Sequence, residues 1–343
     1  MMSRELQIAS KLTQDYNHME KLLSIIIPMY NAEKYIGTCL DSIVNSNLSK
    51  DDYEIIIVND GSKDKGPDIA KDYVSKYDNI FYISQDNQGQ SAARNNGVAN
   101  CHGKYIWFVD SDDKISDNPK DVLELIKNNT SLDILAFWLV KVNEEDCLIG
   151  SECTQPKVVK NKIIKGRDAI IQGYNPSSVC ALIINKDLMV NNNLYFHEGM
   201  THQDVELSYK LLAHANDVMF VTEAPYTYII HPNSTSQSIK PEKKIKYLSD
   251  DCLVIESFNK LAEKFKKIDP KLSEVISHRA KDIQFGMVVN LFGNRGHWRA
   301  SGISEVVLDN MRKQNLFPLN GNFGNPMKNV AAKLFNSFSF LIS

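Results

Sequence analysis

The sequence predicts an α/β fold, in which a wound sheet is flanked by helices and followed by a helical C-terminal region. Strand-like apolar runs alternate with segments of helical periodicity through the first 113 residues. Each of the first four predicted strands also ends in a polar cluster, which is typical of wound sheets that bind ligands at their carboxyl ends. Beyond Lys240 the chain is rich in lysine and helical in periodicity. For 343 residues we expect one large domain and an appendage.

The first half of the predicted sheet contains four strands. Residues 22–29 are β-branched and almost continuously apolar, which is typical of a strand buried on both faces. Residues 32–46 then place apolar side chains on one face at helical spacing. The alternation continues with strands predicted at 53–58, 80–83 and 105–109 and with helices at 67–77 and 89–100.

The second half of the predicted sheet is less regular, and near Ser238 the sequence changes to long, lysine-rich segments of helical periodicity. Its predicted elements are strands over 133–142, 217–221 and 226–230 and helices near 166–172 and over 203–214. The chain is thus divided into an N-terminal helical extension (1–21), a main domain (22–238, with halves 22–113 and 114–238) and a helical C-terminal region (239–343).

Composition and charge exclude several classes of protein. The net charge of -3 and the pI near 6.3 lack the basic excess that is usual in nucleic-acid-binding proteins, so we expect no nucleic-acid partner. Six cysteines occur without a C-x-x-C pair, which favours reduced thiols over a disulfide framework or a zinc site. We find no apolar run of transmembrane length and no signal-peptide pattern, and we expect a cytoplasmic protein, soluble or peripheral to the membrane.

The strongest chemical pattern is Asp110-Ser111-Asp112, directly after the apolar strand predicted at 105–109. In an extended segment, residues i and i+2 point the same way, so both carboxylates face one ligand. Two hard oxygen donors beside a diphosphate suit Mg²⁺ or Mn²⁺. The tripeptide alone is more typical of an Asp-rich turn or helix cap, but its position after a buried strand favours the metal site.

The other strand-end clusters indicate a nucleotide, although each also has a simpler explanation. Asp60 either belongs to a type I turn or accepts the imide N–H of uracil, with Tyr30 packing against the base. Gly89 either starts the next helix or lets the backbone approach a ligand. Arg94 is either a surface ion-pair residue or a charged fork for a nucleotide or phosphate.

Five motifs in order resemble those of the family 2 glycosyltransferases, which are inverting enzymes with the GT-A nucleotide-diphosphosugar transferase fold. The motifs read IIIPMYN, IIIVNDGSKD, DNQGQSAARNNG, WFVDSDD and HQDVELSYKL and extend over about residues 22–238. Each motif is weak or moderate alone, and together they are specific. The resemblance implies that residues 22–113 bind the nucleotide and residues 114–238 the acceptor.

The resemblance also implies a role for individual residues. Asp112 becomes the main protein ligand of a divalent cation (Mn²⁺ or Mg²⁺), with His231 near the metal or the diphosphate. Asp204 becomes the catalytic base. The family usually has Glu where this chain has Gln203, and we expect this loss of a charge to lower the pKa of Asp204 toward its ordinary value. The expected donor-binding residues are Pro28, Tyr30, Asn31, Asp60, Asn87, Gly89, Arg94, Asp110 and Ser111.

The implied activity is transfer of a hexose-type sugar from a UDP-sugar to a hydroxyl of a glycan or lipid-linked glycan in surface-polysaccharide biosynthesis. Two other functions remain open. A nucleotidylyltransferase is disfavoured because Pro28-Met29-Tyr30-Asn31 stands where a Gly-rich phosphate loop is expected. A catalytically silent nucleotide-sugar-binding or scaffold protein is compatible with Gln203 but disfavoured by the retained Asp60, Asp112 and Asp204.

The C-terminal region contains two basic amphipathic segments. One, at 240–267, has many lysines between apolar residues, and the other, at 327–341, places apolar residues on one helical face. Such helices bind an anionic membrane peripherally, or they pack on the main domain or on a second subunit as a homo-oligomer. Packing is slightly favoured for 240–267, and the final segment is compatible with either.

Overall fold

The computed structural model describes residues 21–116, 118–152, 161–176, 178–231 and 240–341. The helix predicted before residue 21 and the boundary predicted near Ser238 lie outside the described residues. The strands in chain order are β1 (Leu23–Met29), β2 (Tyr53–Asp60), β3 (Ile80–Gln85), β4 (Tyr105–Phe108), β5 (Lys114–Ile115), β6 (Ile134–Ala136), β7 (Leu139–Val142), β8 (Leu148–Glu152), β9 (Ile163–Ile164), β10 (Leu182–Asn185), β11 (Val218–Phe220) and β12 (Tyr226–Ile229). The helices are α1 (Ile36–Val44), α2 (Gly66–Lys76), α3 (Gln90–Asn100), α4 (Lys120–Asn128), α5 (Gly166–Ile171), α6 (Lys186–Asn191), α7 (Gln203–His214), α8 (Pro241–Phe265), α9 (Pro270–Gly293), α10 (Arg295–Ala300), α11 (Ile303–Lys313) and α12 (Pro326–Ser337).

An eight-stranded mixed sheet forms the centre of the fold, in the order β3-β2-β1-β4-β10-β6-β11-β9. The first four strands in this order are parallel, and β10 then pairs antiparallel with both β4 and β6. β1 and β2 are buried along their whole length, and their central residues, 25–27 and 55–58, have the continuous apolar sequence of a strand covered on both faces. The prediction of a wound mixed sheet flanked by helices is confirmed.

Helix α3 packs unusually closely on the first two strands, and a glycine permits this. A Cβ atom added at Gly97 would lie 2.4 Å from Cγ2 of Ile26 in β1, which is far inside van der Waals contact. The close approach places the first turn of α3 beside the carboxyl ends of the parallel strands. This turn supplies two residues of the site, Gln90 and Arg94.

The single strand predicted over residues 133–142 is wrong. The segment forms two strands, β6 and β7, which belong to different sheets. Between them the backbone N–H of Phe137 donates to the carbonyl of Ala181 and that of Trp138 to the carbonyl of Glu223, at 3.1 and 2.9 Å. These bonds lead the chain into a second sheet, of order β5-β12-β7-β8. The apolar sequence is continuous through the crossing, so it did not reveal the break.

The C-terminal helices pack against the second half of the sheet domain. Phe258 of α8 is buried against Tyr209 of α7, with ring centroids 4.7 Å apart, and Thr201 donates two hydrogen bonds to Asp250. The apolar face of the 240–267 segment is therefore covered by protein. Helix α12 packs on α9 through Phe335 but leaves much of its own apolar side exposed. Over the described ranges, none of the helices combines the length and apolarity needed to cross a bilayer.

Candidate active site

A cleft of about 490 Å³ opens at the carboxyl ends of the parallel strands. Its wall includes residues that the sequence did not single out, among them Tyr35 and Gln90. A cavity of about 380 Å³ between α5, α7 and α9 is comparable in size but contains none of the strand-end motifs. Eight predicted site residues line the strand-end cleft: Pro28, Tyr30, Asn31, Asp60, Asn87, Gly89, Ser111 and Asp112.

Asn31 fixes the loop after β1 to the loop after β2. Its Oδ1 accepts the backbone N–H of Lys63 at 2.8 Å, and its own N–H donates to Oγ of Ser62 at 3.0 Å. Its φ of 50° lies in the left-handed region, which asparagine tolerates better than most residues. The preceding Tyr30 is 53% exposed, which leaves its ring accessible from the cleft.

The buried carboxylate of Asp60 organises the loop before α3. One oxygen accepts hydrogen bonds from Nε2 of Gln85 and the backbone N–H of Gln88, and the other accepts from the N–H of Gly89, all at 2.8 Å. Gly89 has a φ of 91°, which L side chains rarely adopt, although there is open space where a Cβ would lie. Glycine is therefore needed here for its backbone conformation and not for lack of space. Asp60 lies at the cleft, and because it already accepts these three hydrogen bonds, its carboxylate has little capacity to accept one from a ligand.

Residues 110–113 form a turn, so the extended geometry that we expected for Asp110 and Asp112 is wrong. The backbone N–H of Asp113 donates to the carbonyl of Asp110 at 3.1 Å, closing the turn. The carboxylates nevertheless converge, because ligand oxygens of Asp110, Asp112 and Asp113 all lie within 4.8 Å of one another. Asp112 lies on the exposed side of the turn, yet crowding by protein atoms and then the charge of Asp110 raise its pKa.

Asp113 holds the turn to the second sheet, a role that the sequence analysis missed. It is buried, and it accepts the hydroxyl of Tyr226 at 2.5 Å and the backbone N–H of Ile229 at 2.8 Å, one on each oxygen. Burial raises its pKa. Since both oxygens of Asp113 are engaged in the fold, Asp112 has the carboxylate best suited to an added cation.

His231 lies behind the same turn. Its ring is buried, with Nδ1 3.0 Å from Oε1 of Glu144 and Nε2 3.4 Å from the carbonyl of Asp112. The ring of Tyr35, a cleft residue, packs against it with centroids 4.5 Å apart. His231 is therefore adjacent to the acidic turn and is not the surface histidine of a simple loop.

Arg94 is buried next to the cleft and links Asp110 to Asp204; these three predicted site residues are not part of the cleft lining. The side chain is 1% exposed; Nη2 donates to Oδ1 of Asp110 at 2.7 Å and Nη1 to Oδ1 of Asp204 at 2.5 Å. The guanidinium also lies 5.0 Å from the ring centroid of Phe196. The arginine for which we predicted a nucleotide or a surface partner thus contacts two site carboxylates.

Asp204 occupies the first turn of α7, where the helix dipole favours a negative charge. A quarter of its side chain is exposed, and Oδ2 lies 3.5 Å from Oγ of Ser178. We expected a pKa near the ordinary value, but burial raises the pKa of Asp204, and Arg94 offsets only part of this effect. The neighbouring Gln203 donates from Nε2 to Oε1 of Gln90 at 2.9 Å.

Comparison with known proteins identifies the family. The family model described as Glycosyl transferase family 2 matches residues 24–160. The putative glycosyltransferase EpsH of Bacillus subtilis (strain 168) is 31% identical over 257 residues, which cover 72% of this chain and 73% of EpsH. The chain belongs to glycosyltransferase family 2.

Another relative resembles the chain over a smaller share of its length. The uncharacterized glycosyltransferase YibD of Escherichia coli (strain K12) is 30% identical over 222 residues, which cover 63% of each protein. The chain thus spans less than two thirds of YibD.

Solved structures show the same GT-A fold. S. aureus TarS 1-349, in complex with UDP-GlcNAc, aligns with a TM-score of 0.55 at 22% identity, covering 85% of this chain and 90% of the TarS 1-349 chain. The mannosyltransferase PcManGT from Pyrobaculum calidifontis, in complex with GDP-Man and Mn²⁺, aligns with a TM-score of 0.51 at 13% identity, covering 97% and 93%.

Proposed function

We propose that the protein transfers a hexose-type sugar from a UDP-sugar to a hydroxyl of a glycan or lipid-linked glycan in polysaccharide biosynthesis. One observation carries the proposal. Arg94 contacts both Asp110, at the strand-end cleft, and Asp204, at the start of α7. A carboxylate suited to take a proton from an acceptor is thereby held next to the residues suited to bind a donor.

The donor is bound in the cleft at the ends of β1 to β4. Tyr30 packs against the base, the loop that Asp60 holds approaches the nucleotide, and Asp110 and Ser111 lie toward the ribose and diphosphate. Membership of family 2 supports a nucleotide-sugar donor. The neighbour TarS, which was solved with UDP-GlcNAc, supports the choice of uridine.

A divalent cation fits the acidic turn, with Asp112 as its main protein ligand, Asp110 beside it, and His231, which lies behind the turn, as a further candidate. Mn²⁺ or Mg²⁺ bound there supplies charge that stabilises a departing diphosphate. The donor set supports this, because hard oxygen ligands converge within 4.8 Å and the carboxylate of Asp112 lies on the exposed side of the turn. PcManGT, a neighbour in fold, was solved with Mn²⁺.

Asp204 acts as the general base in a single displacement. Its carboxylate takes the proton of the acceptor hydroxyl while that oxygen attacks the anomeric carbon of the donor, which becomes oxocarbenium-like. Arg94 favours the ionised form that a base requires and fixes one of its oxygens. Attack from the face opposite the leaving diphosphate inverts the anomeric centre, so an α-linked donor gives a β-linked product.

We also propose that the exposed face of α12 binds an anionic membrane, at the inner face of the cell membrane, where a lipid-linked acceptor would be presented. Met327 on α12 is 78% exposed, and Phe340, just beyond the end of α12, is 60% exposed. Lys328 lies beside Asp282 and Phe335 beside Phe292, so α12 runs parallel to α9 and ends near Arg295. Residues 283–304 and 314–343 contain four Lys and Arg side chains and no Asp or Glu. Lys328 is paired with Asp282, so Arg295, Arg299 and Lys333 are the charges that suit anionic lipids.

Flotation with phosphatidylglycerol-containing liposomes tests the membrane contact. The chain truncated after Asn322, and the full chain with Leu334→Ser and Phe340→Ser, should lose flotation. Ile268→Ser, an exposed residue at the opposite end of α9, should float like the unaltered protein. Unchanged flotation of both tail variants would exclude α12 as the anchor, and a second subunit covering α12 would appear instead as a dimer in light scattering.

Turnover tests the proposed activity. The protein should release UDP from one of UDP-Glc, UDP-Gal, UDP-GlcNAc, UDP-GalNAc and UDP-glucuronic acid with Mn²⁺, and EDTA should abolish the release. Asp204→Asn should bind the donor normally, in calorimetry, and lose transfer by at least about a hundredfold. Transfer that persists in Asp204→Asn would exclude this residue as the base. Donor binding without turnover in the unaltered protein would favour the silent binding or scaffold protein.

A further inference from the structure

Two parallel connections join the donor side of the cleft to the start of α7. In the first, Arg94 bridges Asp110 and Asp204. In the second, Gln90 donates from Nε2 to Oδ1 of Asp110 at 3.0 Å, and its Oε1 accepts Nε2 of Gln203 at 2.9 Å. Gln90 and Arg94 are four residues apart on α3 and therefore lie on the same helical face. The two residues that start α7 are thus each linked to one carboxylate, that of Asp110.

The direction of the amide connection is set by the charges around it. Oδ1 of Asp110 accepts a hydrogen bond from Arg94, so it is an acceptor, and Gln90 must meet it with its NH₂ group. The carbonyl oxygen of Gln90 then faces residue 203. A donor is required there, which the amide of Gln203 supplies and an ionised glutamate would not.

The segment that leads into α7 is also fixed to α3. The side chain of Asn95 accepts the backbone N–H of Phe196 and donates to its carbonyl, both at 3.0 Å. The ring of Phe196 packs on the Arg94 guanidinium and, edge to face, on Phe108 of β4. Helix α3 therefore holds both the approach to α7 and its first turn.

We propose that Gln90 and Arg94 are positioning residues that set the distance between the donor and the base, and that Gln203 is the matched partner of Gln90. The inference rests on the proposed function, because it assigns these residues to the transfer step. A base displaced by only about 1 Å from its productive position lowers the rate by about a hundredfold. The two connections, through Arg94 and Gln90, therefore serve to hold the base at a fixed distance from the donor.

A double-mutant cycle in thermal unfolding tests the connection independently of activity. Gln90→Met should lower the Tm by about 2 °C, because it leaves the buried amide of Gln203 without its partner, and Gln203→Met should lower it less, because the Gln90 amide that it leaves is exposed. The double variant should lose no more than one single variant, because both partners are then apolar. Gln314→Met, at an exposed glutamine after α11, should leave the Tm unchanged. Additive losses in the double variant would overturn the connection.

Kinetic measurements then distinguish a positioning role of these residues from an effect on protein stability alone. Gln203→Met and Gln203→Glu should lower kcat about tenfold while the donor KM changes less than about twofold. Gln90→Lys should restore part of the kcat lost in Gln203→Glu, because an ammonium donates to both carboxylates. Arg94→Lys should lower kcat about a hundredfold, because a point donor does not replace the planar fork.

The outcomes distinguish the two proposals. Full kcat in the Gln203 variants of an active enzyme would overturn the positioning role, and so would losses confined to the donor KM. Absence of turnover in the unaltered protein with every donor would overturn the proposed function and with it the positioning role, while the Tm cycle would still decide whether the connection exists.

Discussion

The donor side and the acceptor side of the site are held in different ways. On the donor side, short hydrogen bonds connect neighbouring loops of parallel strands, such as those from Asn31 to the β2 loop and from Asp60 to the loop before α3. On the acceptor side, Asp204 is held by Arg94, which is 110 residues away in the chain, and Gln203 by Gln90, which is 113 residues away.

This difference explains which side can be recognised in a sequence. The position of a strand-end motif in the fold can be predicted from the sequence, because parallel strands bring their carboxyl ends to one edge of the sheet. No neighbouring strand end fixes the position of the base, Asp204. Its position depends on how closely α3 packs on the sheet.

Asp112→Asn should cause the largest loss, about a thousandfold in turnover, because it removes the carboxylate best placed for the cation. The measurement is metal-dependent UDP release at saturating donor. Asp309→Asn, an exposed aspartate on α11 that pairs with Arg312, is the matched control and should keep full turnover. A loss below about threefold in Asp112→Asn would remove this residue from the donor side.

Gly89→Ala should weaken donor binding by about tenfold or more. Its φ of 91° strains any L side chain by about 1–3 kcal/mol, so the loop that Asp60 holds would shift away from its position. UDP titration by calorimetry measures the effect. Gly150→Ala provides a control, because that glycine also has open space around a new Cβ but no positive φ. Equal affinity in Gly89→Ala and the unaltered protein would show that this loop does not support the donor.

The pH profile should show the raised pKa of Asp204. A base acts when deprotonated, so kcat falls as the pH drops through its pKa, and burial moves this limb above the pH of about 4 at which an ordinary aspartate titrates. Arg94 and Asp110 are the charged groups that oppose and reinforce the shift. A kcat that stays constant down to about pH 4, with circular dichroism confirming the fold, would contradict the assignment.

A small pH effect on stability is expected far from the cleft, at His214 on α7. Burial, and then Lys264 and Lys210 nearby, hold its pKa below the ordinary value of about 6.5. Its contribution to stability is therefore complete above pH 6.5 and is lost as the pH falls through the lowered pKa. Relative to His214→Gln, the unaltered protein should lose about 1 °C of Tm between pH 7 and pH 5. A Tm difference between the two proteins that does not change with pH would show that protonation of His214 is not linked to stability.

Much of the donor side could be predicted from the sequence, and the reason is periodicity. Buried parallel strands have continuous apolar runs, so the polar residues that follow them, such as Asp60 and Asp112, mark the edge of the sheet. The structure places eight of the predicted residues in one cleft. The turn at residues 110–113 was not expected, because local pattern does not distinguish a turn from a strand extension.

The acceptor side could be predicted only in part. Asp204 was recognised through a family motif, but its contact with Arg94 and the raised pKa depend on tertiary packing. The same limit applies to the crossing from β6 to β7, which is set by backbone hydrogen bonds to Ala181 and Glu223. Asp113 was passed over because its partner Tyr226 lies 113 residues away.

The most direct test of the account is the anomeric configuration of the product. With the UDP-α-sugar that turns over and a soluble acceptor, proton NMR of the product before equilibration reports the new linkage. A donor side and a base joined in one site for single displacement predict a β-linked product, and Asp204→Asn should form it at least about a hundredfold more slowly. An α-linked product would contradict the account, since the sugar would have been transferred with retention.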